Sequence, residues 1–224
     1  MKRPLRLLAL ALCLLLASLF GCSERTTRAI APPVDLAPRA NSPTGAVRLL
    51  EWIWNNRDTT RLDLLLTCDY EFVFATGDSA GNAYRERPWT LEDELVCTHN
   101  MFAGAPSGPP PATRITFDMD PNLVEFPDPR PGKESPWHRV VRTSVDLKIE
   151  VEDGSTLEVG GFATFYMVRG DSACIPVEAQ IRGVRPDSTR WWIERWEDET
   201  LPSGGTRGYP SQNRTLGQIK ALYR

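Results

Sequence analysis

Histidine is almost missing from this chain: only His99 and His138 occur among 224 residues, and neither stands in an HExxH spacing. CxxC pairs are absent as well, so the ligand sets that hold zinc in small domains are lacking, and neither a metal nor another cofactor is expected. No glycine-rich turn suited to a dinucleotide or a phosphate is present, nor a GxSxG nucleophile elbow. The 26 lysines and arginines form no cluster or stripe. That excludes nucleic acid as a partner and gives no reason for direct binding to anionic lipid head groups. Long apolar runs are scarce, and the stretch from Leu7 to Phe20 is shorter than the roughly 18 to 20 residues that a membrane-spanning helix needs.

That short run nevertheless carries information. It follows Lys2, Arg3 and Arg6 and leads into Leu19-Phe20-Gly21-Cys22, with a small residue where a signal peptidase must reach the backbone. The pattern reads as a bacterial lipobox. Residues 1–21 are therefore expected to be a lipoprotein signal peptide, and Cys22 the first mature residue, acylated and inserted in a lipid bilayer of the bacterial cell envelope. Ser23, in place of an aspartate, points to the periplasmic face of the outer membrane if the host is Gram-negative. Three of the 26 basic residues and none of the 29 acidic ones leave with the signal, so 23 against 29 gives the mature chain a net charge of −6.

Cys13 departs with the signal and Cys22 is consumed by lipid, which leaves Cys68, Cys97 and Cys174 in an oxidising compartment. Three thiols cannot all pair within one chain. A bridge between Cys68 and Cys97 and two separately buried thiols are both open at this point.

Residues 22–41 mix proline, alanine and charge without periodicity, and such a segment cannot bury enough apolar surface to offset its ordering entropy, so it is expected to be a tether. Ser42-Pro43 then supplies a helix start, and Val47, Leu50, Ile53 and Trp54 recur at helical spacing through Asn56. Thr60 with Asp63 has the form of a capping box for a short second helix ending near Cys68, followed by a strand from Tyr70 to Phe74. Thr90 with Asp93 opens a third helix reaching about Ala103, with Leu91, Leu95, His99 and Phe102 expected on its inner face. Ile115, Phe117 and Met119 alternate as a half-buried strand, and residues 121–136 are a proline-punctuated excursion.

From Arg139 to Glu152 apolar and polar residues alternate regularly, Asp153-Gly154 fits a tight turn, and Leu157 to Val168 returns as the partner strand. Strands this long do not stay flat, and Gly160-Gly161 is expected to be a bulge or bend that curls the sheet. Residues 170–187 form a long connection, Trp191 to Glu197 a last strand, and Thr215 with Gln218 caps a short helix bearing Leu216, Ile219 and Leu222. The fold class that follows is α+β: N-terminal helices packed in the concave face of a strongly curved, mainly antiparallel sheet, a cone-shaped α+β barrel.

This order of elements, with the step from Leu62 to Phe74 and the strand Trp191-Trp192-Ile193-Glu194-Arg195-Trp196, resembles the nuclear transport factor 2-like superfamily, which includes ketosteroid isomerase and the SnoaL-type polyketide cyclases. The resemblance covers roughly residues 42–199 and leaves 200–224 as a C-terminal extension. It implies a cone with a pocket at its open end, and dimerisation through the outer face of the sheet.

Within such a cone His99 is the group suited to proton transfer, and Asp69 beside Tyr70 supplies a carboxylate and a phenol. Adjacent strand residues point to opposite faces, so Asp69 and Tyr70 do not both enter one cavity. Tyr70, His99, Phe102 and Phe165 are the expected ligand-binding residues, and His99 with Asp69 the expected catalytic pair. Three functions are open: a module binding a small apolar ligand or a protein partner, a cyclase- or isomerase-type enzyme, and a structural homodimer whose cone is filled by its own side chains. A tryptophan on the outer parity of the last strand, next to Arg195, would serve an interface or lie beneath the proline-rich connections.

Overall fold

The computed structural model describes residues 36–84, 86–170, 187–202 and 211–224. The chain divides into two units, Met1–Leu36 and Ala37–Arg224, and the second carries the fold. The signal segment, Cys22, most of the tether and residues 171–186 lie outside the described residues.

The first helix, α1 (Pro43–Asn56), starts as expected: the Ser42 hydroxyl accepts from the Gly45 N–H at 2.9 Å, and proline at the first position has no N–H to leave unpaired. Val47, Leu50, Ile53 and Trp54 are fully buried along one face. The second helix departs from expectation. It runs Thr59–Asp63 (α2), and Asp58, not Thr60, caps it by accepting from the Arg61 N–H at 3.0 Å. A carboxylate there also meets the positive end of the helix dipole, which a hydroxyl does not. Leu64 and Leu65 turn the chain, and Leu66 already belongs to strand β1 (Leu66–Val73) through its pairing with a later strand, so β1 starts earlier than Tyr70.

Next come β2 (Trp89–Thr90), α3 (Leu91–Ala103), β3 (Ala112–Met119), β4 (Glu125–Pro127), β5 (His138–Val151), β6 (Thr156–Arg169), β7 (Trp191–Pro202), β8 (Ser211–Asn213) and α4 (Leu216–Tyr223). The sheet order is β2-β1-β7-β6-β5-β3, with β4 beside β5 and β8 beside β6. Pairing is antiparallel except between β1 and β7 and between β6 and β8. The long hairpin is as the alternation predicts: Val141, Thr143, Val145, Leu147, Ile149 and Val151 are buried, and Gly154 takes a positive φ of 80° in the turn. Gly160-Gly161 is not a bulge. The β5 and β6 registers run through it unbroken, Asp146 facing Gly160 and Val145 facing Gly161, and the irregularity lies between Tyr166 and Met167 against β7. Two residues without side chains let a strand bend without adding an unpaired residue.

A single helix, α1, packs against β3, β5 and β7. These strands span three strand spacings, about 14 Å across the hydrogen-bonding direction, so the sheet must curl around the helix. The cone is open and does not close into a barrel. At its β3 edge the backbone groups are satisfied by α1 side chains instead of a further strand: Asn55 donates to the Phe117 carbonyl at 2.9 Å and accepts from the Phe117 N–H at 2.7 Å, and Glu51 accepts from the Met119 N–H at 2.8 Å. β8 and α4 belong to the same compact unit, because β8 pairs with β6 and α4 packs on α3 and β7.

Cys68 is disulfide-bonded, while Cys97 is a free, buried thiol. The two do not pair: Cys97 points into the core from α3 while Cys68 sits on an exposed position of β1.

Candidate functional site

The concave side of the cone is built around one ion pair. Lys220 on α4 and Glu94 on α3 are both fully buried, and the ammonium lies 2.7 and 2.8 Å from the two carboxylate oxygens. The Trp89 indole N–H donates to the same carboxylate at 3.0 Å. Above and beside the ammonium stand ring faces, with Nζ 3.7 Å from the Phe72 centroid, 3.9 Å from Trp196 and 5.9 Å from Trp54. Cations over such faces are attracted by the ring quadrupole, most strongly where water is excluded. Burial pushes the Lys220 pKa down, and the Glu94 carboxylate works against that shift.

Local sequence explains why these two residues meet. On α4, Leu216, Ile219, Lys220 and Tyr223 are buried, and on α3 so are Glu94, Cys97, Thr98 and Met101. Both sets follow the i, i+3, i+4, i+7 spacing of one helix face. Each stripe carries one charge among apolar or small neighbours, and the charges are of opposite sign. The capping box of α3 forms as predicted, the Asp93 carboxylate accepting from the Thr90 N–H at 3.1 Å, and Arg224 also reaches Asp93. At the start of α4, Thr215 bonds buried Asp78, and Asp198 accepts from the Thr200 and Gly217 N–H groups at 2.9 and 3.1 Å. Burial pushes the Asp198 carboxyl up, against those hydrogen bonds.

A surface cleft of about 400 Å³ opens next to this interior. Glu71, Phe74, Gly77, Tyr84, Pro88 and Arg195 are among its walls. Phe74 and Tyr84 stack at 5.0 Å with their planes 8° apart, and both pack on Trp89. Arg195 donates to Glu71 at 2.7 Å and to Glu197 at 2.8 Å along the rim.

The residues singled out from the sequence are not brought together. His99 is exposed on the outer side of α3, so the expected face of Leu91, Leu95, His99 and Phe102 is turned: the stripe bearing Glu94 goes inward because Lys220 is there to neutralise it. Asp69 is exposed on β1, and Tyr70, of opposite parity, is buried. The Tyr70 hydroxyl lies in the field of Glu94, and burial and that charge push its pKa well up. Phe102 and Phe165 are core residues, the first edge-on to Trp54 at 5.9 Å and the second against Trp196 at 5.0 Å. Trp191 and Trp192 are both buried, and the Arg190 guanidinium covers the Trp192 ring at 4.5 Å. Tyr166 points outward as its parity requires, beneath the Arg130 guanidinium at 4.2 Å. Sequence reasoning passed over Lys220 and Glu94 because a lysine or glutamate was not counted towards the inner face of a helix.

Among the described residues no group of three or more His, Cys, Asp or Glu side chains is arranged to hold a metal ion, and no helix is long and apolar enough to cross a membrane. No protein-family model matches the chain, and no curated protein does either. Solved structures with a similar chain course include a conserved protein from Planctomyces limnophilus, at 15% identity over 71% of this chain and 94% of the other with a TM-score of 0.48. A nuclear transport factor 2-like superfamily protein from Salmonella enterica serovar Typhimurium is similar at 16% identity over 74% and 94%, with a TM-score of 0.43. A protein with a cystatin-like fold from Caulobacter vibrioides is similar at 10% identity over 70% and 86%, with a TM-score of 0.41. Likenesses of this degree transfer no activity to the chain.

Proposed function

We propose that this chain is a lipid-anchored protein of the bacterial envelope, whose folded unit is a nuclear transport factor 2-like cone acting as a binding module. The observation that carries this reading is the Lys220–Glu94 pair, which fills the concave side with the chain's own C-terminal helix and leaves the accessible depression outside, at the cleft beside Phe74 and Tyr84. Proton transfer by His99 and Asp69 has no support, since a general base must reach its substrate within hydrogen-bond distance and both groups lie on the exterior. The Phe74–Tyr84 stack offers an apolar wall and the Arg195 rim a charged one, which suits a small, largely apolar ligand with a polar end.

Anchoring rests on Cys22 and the lipobox around it. A random chain the length of residues 23–41 has a root-mean-square extent of about 25 Å, so the domain would work close to the bilayer. Metabolic labelling with a palmitate analogue tests this part: the wild-type chain should take up label and sediment with membranes, and Cys22→Ala should do neither. Label in Cys22→Ala would overturn the anchor. Native mass spectrometry of the full chain taken from its own envelope tests the binding part. A small-molecule adduct that is lost in Tyr84→Ala is expected, and a clean unliganded spectrum of the wild type would count against the module.

A further inference from the structure

The interior pair is more elaborate than anchoring a helix requires. A leucine or methionine at position 220 would fill the same space without the cost of stripping water from two charges. Instead the cone presents a bidentate carboxylate and three aromatic faces to one ammonium group, the arrangement by which organic cations are recognised. The site also has polar capacity that Lys220 does not use. The Thr98 hydroxyl, on the same helix face as Glu94, is buried without a hydrogen-bond partner and can accept from an ammonium group. Orphaned groups of this kind are rare in folded interiors and call for an explanation.

The element that fills the site is also the one best placed to leave it. At eight residues, α4 is shorter than the roughly 12 to 15 residues a helix needs to persist alone. Its departure breaks no pairing in the central sheet order. The cleft adjoins it directly. Phe72 and Asp78 help to line the cleft, Phe72 lies under the Lys220 ammonium, and Asp78 holds Thr215 at the foot of α4. Movement of α4 would join the cleft to the ring faces.

We infer that Glu94, with the faces of Phe72, Trp196 and Trp54, is an ammonium-binding site that α4 keeps filled with its own Lys220, and that a small organic ammonium ion enters by displacing α4. Lys220 is then an internal ligand, and occupancy by an outside cation reports as release of the C-terminal helix. This goes beyond the binding module proposed above and does not depend on the cleft holding a separate ligand.

The test uses the full chain in detergent with ethylammonium chloride as the probe and potassium chloride at equal ionic strength as the control. In the wild type, hydrogen exchange at residues 216–223 should quicken about tenfold or more in a saturable way with ethylammonium only, as expected when a ligand favours the opened state. In Lys220→Ala the same ion should raise the melting temperature saturably, and in the double variant with Glu94→Gln that rise should vanish. Unchanged exchange in the wild type overturns the inference, as does a rise that persists without Glu94. Should Lys220→Ala not fold, the wild-type exchange measurement decides alone.

Discussion

Two of the clusters in this molecule combine the same three parts in different surroundings: a cation, a carboxylate gripping it with both oxygens, and an aromatic face. Inside the cone they are Lys220, Glu94 and the Phe72 ring at 3.7 Å. On the outer face of the sheet they are Arg142, Glu199 and the Phe162 ring at 4.2 Å, with guanidinium-to-carboxylate distances from 2.7 to 3.2 Å. The geometry is as good outside as inside, yet the side chains of Arg142 and Glu199 are 50% and 39% exposed where those of Lys220 and Glu94 are 0% and 1%. Burial, and not the quality of the contact, therefore sets what such a cluster is worth. Water outside would replace either partner cheaply, and inside nothing would.

Removing one inner partner should accordingly have the largest effect of any single charge change in the fold. Lys220→Ala leaves the Glu94 carboxylate buried without its counter-charge, and should lower stability by about 3 to 5 kcal/mol. Glu94→Leu combined with Lys220→Met removes both charges at similar volume and should recover most of that loss, because neither ion then has to be desolvated. Urea denaturation of the three proteins measures both numbers. A cost under about 1 kcal/mol for Lys220→Ala, the level of a surface pair, would erase the contrast between inside and outside.

The rim of the interior should behave between these extremes, and acid reveals it. At Asp93 burial works to raise the carboxyl pKa, but hydrogen bonds from the Thr90 backbone and from Arg224 outweigh it and hold the group below its ordinary value. A carboxylate with a folded pKa below its unfolded one contributes stability that is fully present above the unfolded value and is lost as pH falls through the folded one. The wild type should therefore lose stability on acidification below about pH 4, the ordinary carboxylate range, and Asp93→Asn should be less stable at neutral pH and flatter across that window. Denaturation midpoints against pH give the answer, and parallel curves for the two proteins would remove Asp93 from the account. Because Arg224 follows α4 directly, acid should also loosen that helix ahead of the sheet.

Much of the fold was legible in the sequence because it rests on local signals. The Ser42 and Thr215 caps, the alternation from Arg139 to Glu152 and the Asp153-Gly154 turn each depend on neighbours within a few residues, and each is where its signal put it. The start of β1 was missed because its pairing with β7 comes from more than a hundred residues away and ends the helix ahead of Leu66. The interior was read wrongly for a related reason. A lysine and a glutamate on different helices look solvated when each helix is read alone, and only docking of α4 on α3 makes an inward charge tolerable. The i, i+3, i+4, i+7 stripe ending in Tyr223 carried a signal for Lys220, and Glu94, Cys97, Thr98 and Met101 carried its counterpart.

The smallest effect probes the same contrast from the other side. Arg142→Ala removes a bidentate pair and a ring contact together, a loss that on geometry alone would rival Lys220→Ala. Glu199 would remain in water with the Thr164 hydroxyl still donating to it at 2.7 Å, so no charge is stranded. The expected loss is at most about 1 kcal/mol, and it should shrink further in high salt, where an exposed pair is screened. Lys220→Ala, by contrast, should cost nearly the same at low and high salt, since the ions of a simple salt do not screen a pair from which water is excluded. If the two substitutions proved equal in cost and equally sensitive to salt, water would have to reach Glu94 as freely as it reaches Glu199, and the closed interior on which the ammonium site depends would not exist.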